Sequence, residues 1–288
     1  MSIRITRLSQ THEPRSFAVT THAVVEARAS AIDGLRDPCP KPGVPALPAR
    51  FLRHCDEQTV VGMHAVLRAL ATHPREHSVA GHGVVAASCQ AGRVAAARAL
   101  VLYRDGGPVT VSPHIVPQAS LHSIAGAVSV GLGMHGPHLG VSGGPDAVAE
   151  GILAAVSLLE GCGDDLPCVW AVFSEWATEP SLAVDGRVHG DPLCRAMALA
   201  LSGIDEDATA TTPTLTVRIP AGHEAIADAD GGEAVRLDAF ARAVVMCAEG
   251  EAIVSWAFSA PGGVEIRVGR RPAVQPALPS RSGLREAA

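Results

Sequence analysis

His138-Leu-Gly-Val-Ser-Gly-Gly-Pro-Asp146 is the stretch on which the reading of this chain turns. Its first five residues, His138 to Ser142, are short and apolar enough for a buried strand, and Gly143-Gly144 interrupt it. Pro145 suits the first position of a helix, where its missing N–H is not needed. Beyond it Val148, Ile152, Val156 and Leu159 recur at helical spacing, predicting a helix from Pro145 to Glu160 that forms the buried centre of the fold. Upstream, Leu121, Ile124, Ala125, Val128 and Leu132 mark another helix, stopped by Gly133 and Gly136-Pro137. A strand that turns through glycines straight into a helix aims one residue at the helix N-terminus. Free N–H groups and the macrodipole favour negative charge there. The residue at that tip decides the chemistry.

Bulk properties narrow the field. The chain has 288 residues, 47% of them hydrophobic but only 3% aromatic, which suits an Ala-rich α/β core better than a β-sandwich. A net charge of −6 argues against a general nucleic-acid surface. No apolar run reaches membrane-spanning length, and Met1 to Gln10 carry no apolar leader core, so a cytoplasmic protein is expected. The cysteines (39, 55, 89, 162, 168, 194 and 247) show no paired spacing, which fits reduced thiols rather than a disulfide framework.

Around the central stretch, Ile3 to Ile5 and Phe17 to Val25 alternate as strands, and the Pro-rich residues 33 to 50 read as an extended loop. A helix is predicted over Glu57 to Ala71, with His64 on its inner side as a satisfied core residue. Gly83 to Ser88 reads as a buried strand, Cys89 to Gly92 as its turn and Arg93 to Tyr103 as the next helix. Val109 to Val116 reads as extended and Cys168 to Phe173 as a strand, while Pro192 to Leu201 fits a strand or a short helix. Thr214 to Ile219 alternates as a strand, and Leu237 to Cys247 reads as a helix. Ala252 to Phe258 and Val264 to Val268 form a hairpin around Pro261-Gly262-Gly263, and the tail from Arg270 reads as disordered.

Four motifs in order resemble the N-terminal half of β-ketoacyl synthases: Ser120-Leu-His-Ser-Ile-Ala-Gly126, Leu132-Gly-Met-His-Gly-Pro137, Gly140-Val-Ser142 and the Ala-rich helix that follows. The resemblance spans about residues 45 to 175. It implies a truncated thiolase-like α/β fold, with a mixed central sheet covered by helices. It also implies three parts: a ketosynthase-like half over 1–175, a divergent α+β remainder over 176–270, and the tail 271–288. In that family the active-site Cys opens the helix after the Val-Ser strand. Here that position falls on Pro145, within one residue, and no Cys lies between Cys89 and Cys162. The two catalytic imidazoles of the family have no counterpart, since His189 and His223 are the only histidines after residue 145.

The resemblance therefore implies a chain-length-factor type of subunit, as in aryl-polyene and other pigment pathways. Such a subunit does no condensation itself. It pairs with an active β-ketoacyl synthase, and the acyl carrier protein binds through that partner. In the family the strand ahead of the nucleophile pairs across the two-fold axis, which points to His138, Leu139, Gly140, Val141 and Ser142. The turn after the preceding strand holds the family's acyl-pocket gate, which places Cys89 or Gln90 in that role. No cofactor and no metal is implied.

A rival reading uses the residues alone. Gly140-Val141-Ser142-Gly143-Gly144 fits the nucleophile-elbow pattern of serine hydrolases, with Ser142 as nucleophile, His189 or His223 as base and Asp185, Asp228 or Asp230 to orient it. The pattern arises easily by chance in a chain with 29 glycines, and no oxyanion-type glycine run precedes it. His135 and His138, with His114 and His122 nearby, lack the carboxylate or thiol that would complete a metal set.

Overall fold

A computed structural model describes residues 13–39, 44–73, 78–141, 143–204, 212–219, 234–250, 256–260 and 263–270. Its frame is one eight-stranded sheet in the order β3-β2-β4-β5-β1-β6-β8-β7. The strands are β1 (Arg15–Arg28), β2 (Gly83–Ser88), β3 (His138–Val141), β4 (Val169–Trp176), β5 (Leu193–Ser202), β6 (Pro213–Arg218), β7 (Trp256–Ala260) and β8 (Val264–Arg270). The helices are α1 (Glu57–Leu70), α2 (Arg93–Gly106), α3 (Ile115–Gln118), α4 (Ser123–Leu132), α5 (Ala147–Cys162) and α6 (Leu237–Glu249).

The sheet is mixed: β2 runs parallel to β3 and β4, and the remaining pairs are antiparallel. Every residue of β2 is buried, as its unbroken apolar run requires of a parallel strand covered on both faces. Alternate side chains then feed two cores. Val84, Ala86, Trp170 and Val172 join α1 and α4 on one face, while Val85, Ala87, Ala171 and Phe173 join α5 and α6 on the other. The α/β class with helices on both sides of a mixed sheet is thus observed.

The first strand serves both cores. Its register against β5 shifts between Val19 and Thr21, and a bulge of this kind reverses the side-chain alternation. Phe17 and Val19 accordingly pack with α5 and α6, whereas Ala23 and Ala27 pack with α1. Thr21 marks the crossover, its hydroxyl donating to the Ala69 carbonyl at the end of α1. Because β1 lies between β5 and β6, strands from before and after residue 176 share one sheet.

Several expectations need correction. The buried centre is α1, not the helix after Pro145: twelve residues of α1 are buried, against a single buried face on α5. The stretch expected to be extended over Val109 to Val116 instead holds a 3-10 turn, Pro108–Thr110, and the one-turn α3. Pro108 and Pro113 fix φ near helical values and favour such turns. The loop expected over residues 33 to 50 opens inside a 3-10 helix, Ala29–Leu35. The strand expected over His138 to Ser142 is not buried. It lies at the sheet edge with its first two residues exposed. Pro192 to Leu201 resolves as strand β5, and the first strand extends over Arg15–Arg28. Ile3 to Ile5 and the tail after Arg270 lie outside the described residues.

Candidate functional site

The candidate site lies where the parallel strands end, the usual ligand end of such sheets. Two turns meet there. The turn after β2, Cys89 to Gly92, is tied to the turn after β3 by the Gln90 N–H, which donates to the Gly143 carbonyl at 3.0 Å. The Cys89 N–H donates to the Ser174 carbonyl at 2.9 Å, and Gln58 Nε2 of α1 donates to the Cys89 carbonyl at 2.8 Å. Gln90 adopts a positive φ of 61°, uncommon for a residue with a Cβ. The fold thus brings Cys89 and Gln90 beside the turn that leads to α5.

At that helix tip Pro145 is exposed and precedes the first helical residue, Ala147, by two positions. Pro145 therefore does not open the helix as its sequence position suggested. Gly144, Pro145 and Asp146 form a turn closed by the Ala147 N–H to the Gly144 carbonyl, and Asp146 is the N-cap without a side-chain capping bond. Ser142 lies outside the described residues, as do His223, Asp228 and Asp230. Asp185 accepts a hydrogen bond from the Arg187 backbone N–H at 3.0 Å within a small turn. Among the described residues no bond links Asp185 to His189, so the hydrolase reading gains no support.

Cys89 lies in the turn that the Gln90 to Gly143 bond ties to the helix tip. Partial burial raises its pKa, and the nearby Glu175 carboxylate raises it further. A nucleophilic thiol needs the opposite environment, positive and thiolate-stabilising. Burial alone pushes the Cys168 thiol up to about 12.

Under the Cys89–Gly92 turn lies a buried polar layer. Ser88 and Ser174 hydroxyls share a hydrogen bond of 2.7 Å across β2 and β4. Asp56, the N-cap of α1, accepts from the Thr59 N–H at 2.8 Å, and the Gly92 N–H also reaches it. Burial raises its pKa from 3.8 to about 6, outweighing those hydrogen bonds. A carboxyl group raised on folding contributes stability that is complete below its unfolded pKa and is lost as pH rises through its folded one. Asp56→Asn keeps an acceptor for Thr59 but removes the charge. It should flatten the pH dependence of stability between about pH 4 and about pH 7 by about 3 kcal/mol. Urea midpoints of both proteins at those two pH values check this, and equal slopes would count against it.

On β3 Leu139 is 41% exposed, and on α2 Leu100, Leu102 and Tyr103 are more so. Val109 and Val116 continue the exposed apolar residues after α2. β3 pairs with β2 on one side and has no strand on the other, so backbone N–H and C=O groups along that edge are left without a strand partner. Among the described residues no helix is long and apolar enough to cross a membrane.

One histidine matches its sequence expectation. His64 Nε2 lies 2.7 Å from the Leu35 carbonyl as a satisfied core group. Of the four loop histidines, His122 and His138 meet, with ring centroids 5.0 Å apart. A separate trio, His73, His82 and Cys168, brings potential ligand atoms within 4.8 Å of one another. Trp170 Nε1 donates to His82 Nδ1 at 3.0 Å, so the neutral His82 ring carries its proton on Nε2 and the trio reads as a hydrogen-bonded core cluster. No local pattern signals this trio. It forms because Gly83 and Val169 are register partners of β2 and β4, which sets His82 beside Cys168.

No family model and no curated protein matches this sequence. Solved structures similar to it include a ketosynthase in complex with its chain length factor from Xenorhabdus doucetiae, at 13% identity and a TM-score of 0.47. That match covers 90% of this chain and 97% of the other. A ketosynthase of the bacillaene polyketide synthase of Bacillus amyloliquefaciens is similar at 14% identity and a TM-score of 0.42, with 72% of this chain and 46% of the other covered. The ishigamide ketosynthase/chain length factor is similar at 13% identity and a TM-score of 0.42, with coverages of 67% and 59%. The chain thus spans about half the length of the latter two proteins and nearly the whole of the first.

Proposed function

We propose that this chain is a non-catalytic ketosynthase-like subunit of the chain-length-factor type, pairing with an active β-ketoacyl synthase in polyketide or fatty-acid-like biosynthesis. One observation carries the reading. The strand-turn-helix that would present a nucleophile presents an exposed Pro145, and the thiol in the neighbouring turn, Cys89, has its pKa raised by partial burial and by Glu175. Condensation needs an acyl-accepting thiolate. This architecture lacks one and is left with surface and shape.

The partner joins along β3. An open strand edge that carries the exposed Leu139 suits addition of a strand from another chain. Gln90, fixed in its turn, serves as the wall or gate of the shared acyl pocket, and the acyl carrier protein reaches the pair through the partner. Residues 1–175 supply this ketosynthase-like half, and residues 176–270 extend its sheet. The reading places the protein in the cytoplasm and in a pathway making a polyene-like or pigment-like chain.

Co-expression with a complete β-ketoacyl synthase encoded next to it tests the pairing. The expected result is a stable one-to-one complex on size exclusion, with condensing activity that depends on the synthase's thiol. An isolated chain that stays unpaired beside that synthase, while hydrolysing simple esters, would overturn the reading.

A further inference from the structure

Residues 119–122 cross over the ends of β2 and β3 on bare glycine backbone. A Cβ on Gly92 would lie 2.2 Å from the Ala119 carbonyl oxygen, and one on Gly140 would lie 2.2 Å from the Leu121 oxygen and 2.5 Å from His122 Cα. The Leu121 side chain comes within 3.3 Å of the corresponding position on Gly143. This short strap therefore touches the turn carrying Gln90, the edge strand itself and the turn leading to α5. Its far end is anchored at α4, where the Thr59 hydroxyl donates to Ser123 Oγ at 3.1 Å. The same end carries His122, whose ring meets that of His138 in β3, tilted by 33°.

We infer that residues 119–122 form a proton-sensitive strap, seated on β3 by the neutral His122–His138 pair and loosened when both rings take up protons. The reasoning is electrostatic. Two neutral imidazoles at this separation attract through their faces, whereas two imidazolium ions at the same separation repel. Partial desolvation, and then the His138 charge, lower the pKa of His122. Among the described residues His138 is the titratable group whose charge acts on His122. On α4 the residue facing the ring, Gly126, carries no charge. Loosening the strap frees the edge of β3 and the seat of Gly92 together, so both turns of the candidate site feel the same proton. The inference concerns the chain alone and holds whether or not β3 docks a partner.

Hydrogen–deuterium exchange on the full chain tests it, each peptide being referenced to its own unfolded rate at each pH. Protection over 119–122 and 138–141 should fall about threefold between about pH 7.5 and about pH 5.5, and the fall should shrink in high salt. His138→Gln and His122→Phe each remove one charge, and both should lose this dependence while protection over β4 and α1 stays as in the wild type. Protection that changes equally in wild type and both variants, or does not change, overturns the strap. Proton NMR of the two imidazole rings supplies the second measurement. His122 should titrate lower in the wild type than in His138→Gln, and an unchanged titration also overturns it.

Discussion

Gly140→Val will cost about 3 kcal/mol or more of folding stability and strip the edge strand from the sheet. The reason is steric rather than conformational. Gly140 sits within β3 in register with Ala86, yet a Cβ there would lie 2.2 Å from the Leu121 oxygen and 2.4 Å from its carbonyl carbon. Those are backbone atoms, which cannot swing aside as a long side chain can. Either the 119–122 segment lifts away from β3 or β3 leaves β2. Both routes also disturb the Gly92 turn, because Ala119 presses on it from the same segment. A loss of that size is a large share of a domain's stability of about 5–15 kcal/mol. Chemical unfolding of the purified variant measures it. A change below about 0.5 kcal/mol would show that the segment can move at no cost and that this packing has been misjudged.

Leu139→Arg should leave folding almost untouched and abolish pairing with a ketosynthase. Leu139 is 41% exposed on the edge strand and belongs to neither buried core, so the substitution costs the chain itself little. A charge facing into a new strand-strand junction, by contrast, is a device proteins use to prevent edge pairing. If β3 forms the seam, burying an unpaired guanidinium should weaken the complex by about a hundredfold or more. Ile219→Arg provides the control, a comparably exposed apolar residue just after β6, a strand five places from β3 in the sheet and 44% exposed. Analytical ultracentrifugation of each variant with the synthase separates the outcomes. Equal loss from both variants would implicate general surface chemistry, and no loss from Leu139→Arg would move the seam elsewhere.

Local sequence pattern revealed some of this architecture and concealed the rest for physical reasons. The strand over Gly83–Ser88 has the bounds expected of it, because an unbroken apolar run between Gly and a turn leaves little choice. Helix α1 ends one residue from its expected limit, its start marked by Asp56 as a capping residue. The position of β3 in the sheet was not legible. Edge or centre depends on which strands pair, and those partners lie tens of residues away. Pro145 misled because its permitted φ suits both a helix's first residue and a preceding turn, and the Gly144 carbonyl settled it as a turn. The bulge in β1 left no signature beyond two apolar sets of the same parity, Phe17 and Val19 against Ala23 and Ala27. Cys89 and Gln90 were placed by resemblance. Their contact with the α5 turn, however, rests on one bond, Gln90 to Gly143, which no pattern encodes. The His122–His138 pair likewise required Gly140 to let the two segments touch.

Intact-mass spectrometry after incubation with an acyl thioester puts the absence of a working nucleophile to its most direct test. The chain alone should keep its unmodified mass, while a complete ketosynthase under the same conditions gains one acyl group on its thiol. A stoichiometric acyl adduct on this chain, mapped to Cys89 or to any residue between 138 and 147, would contradict the account.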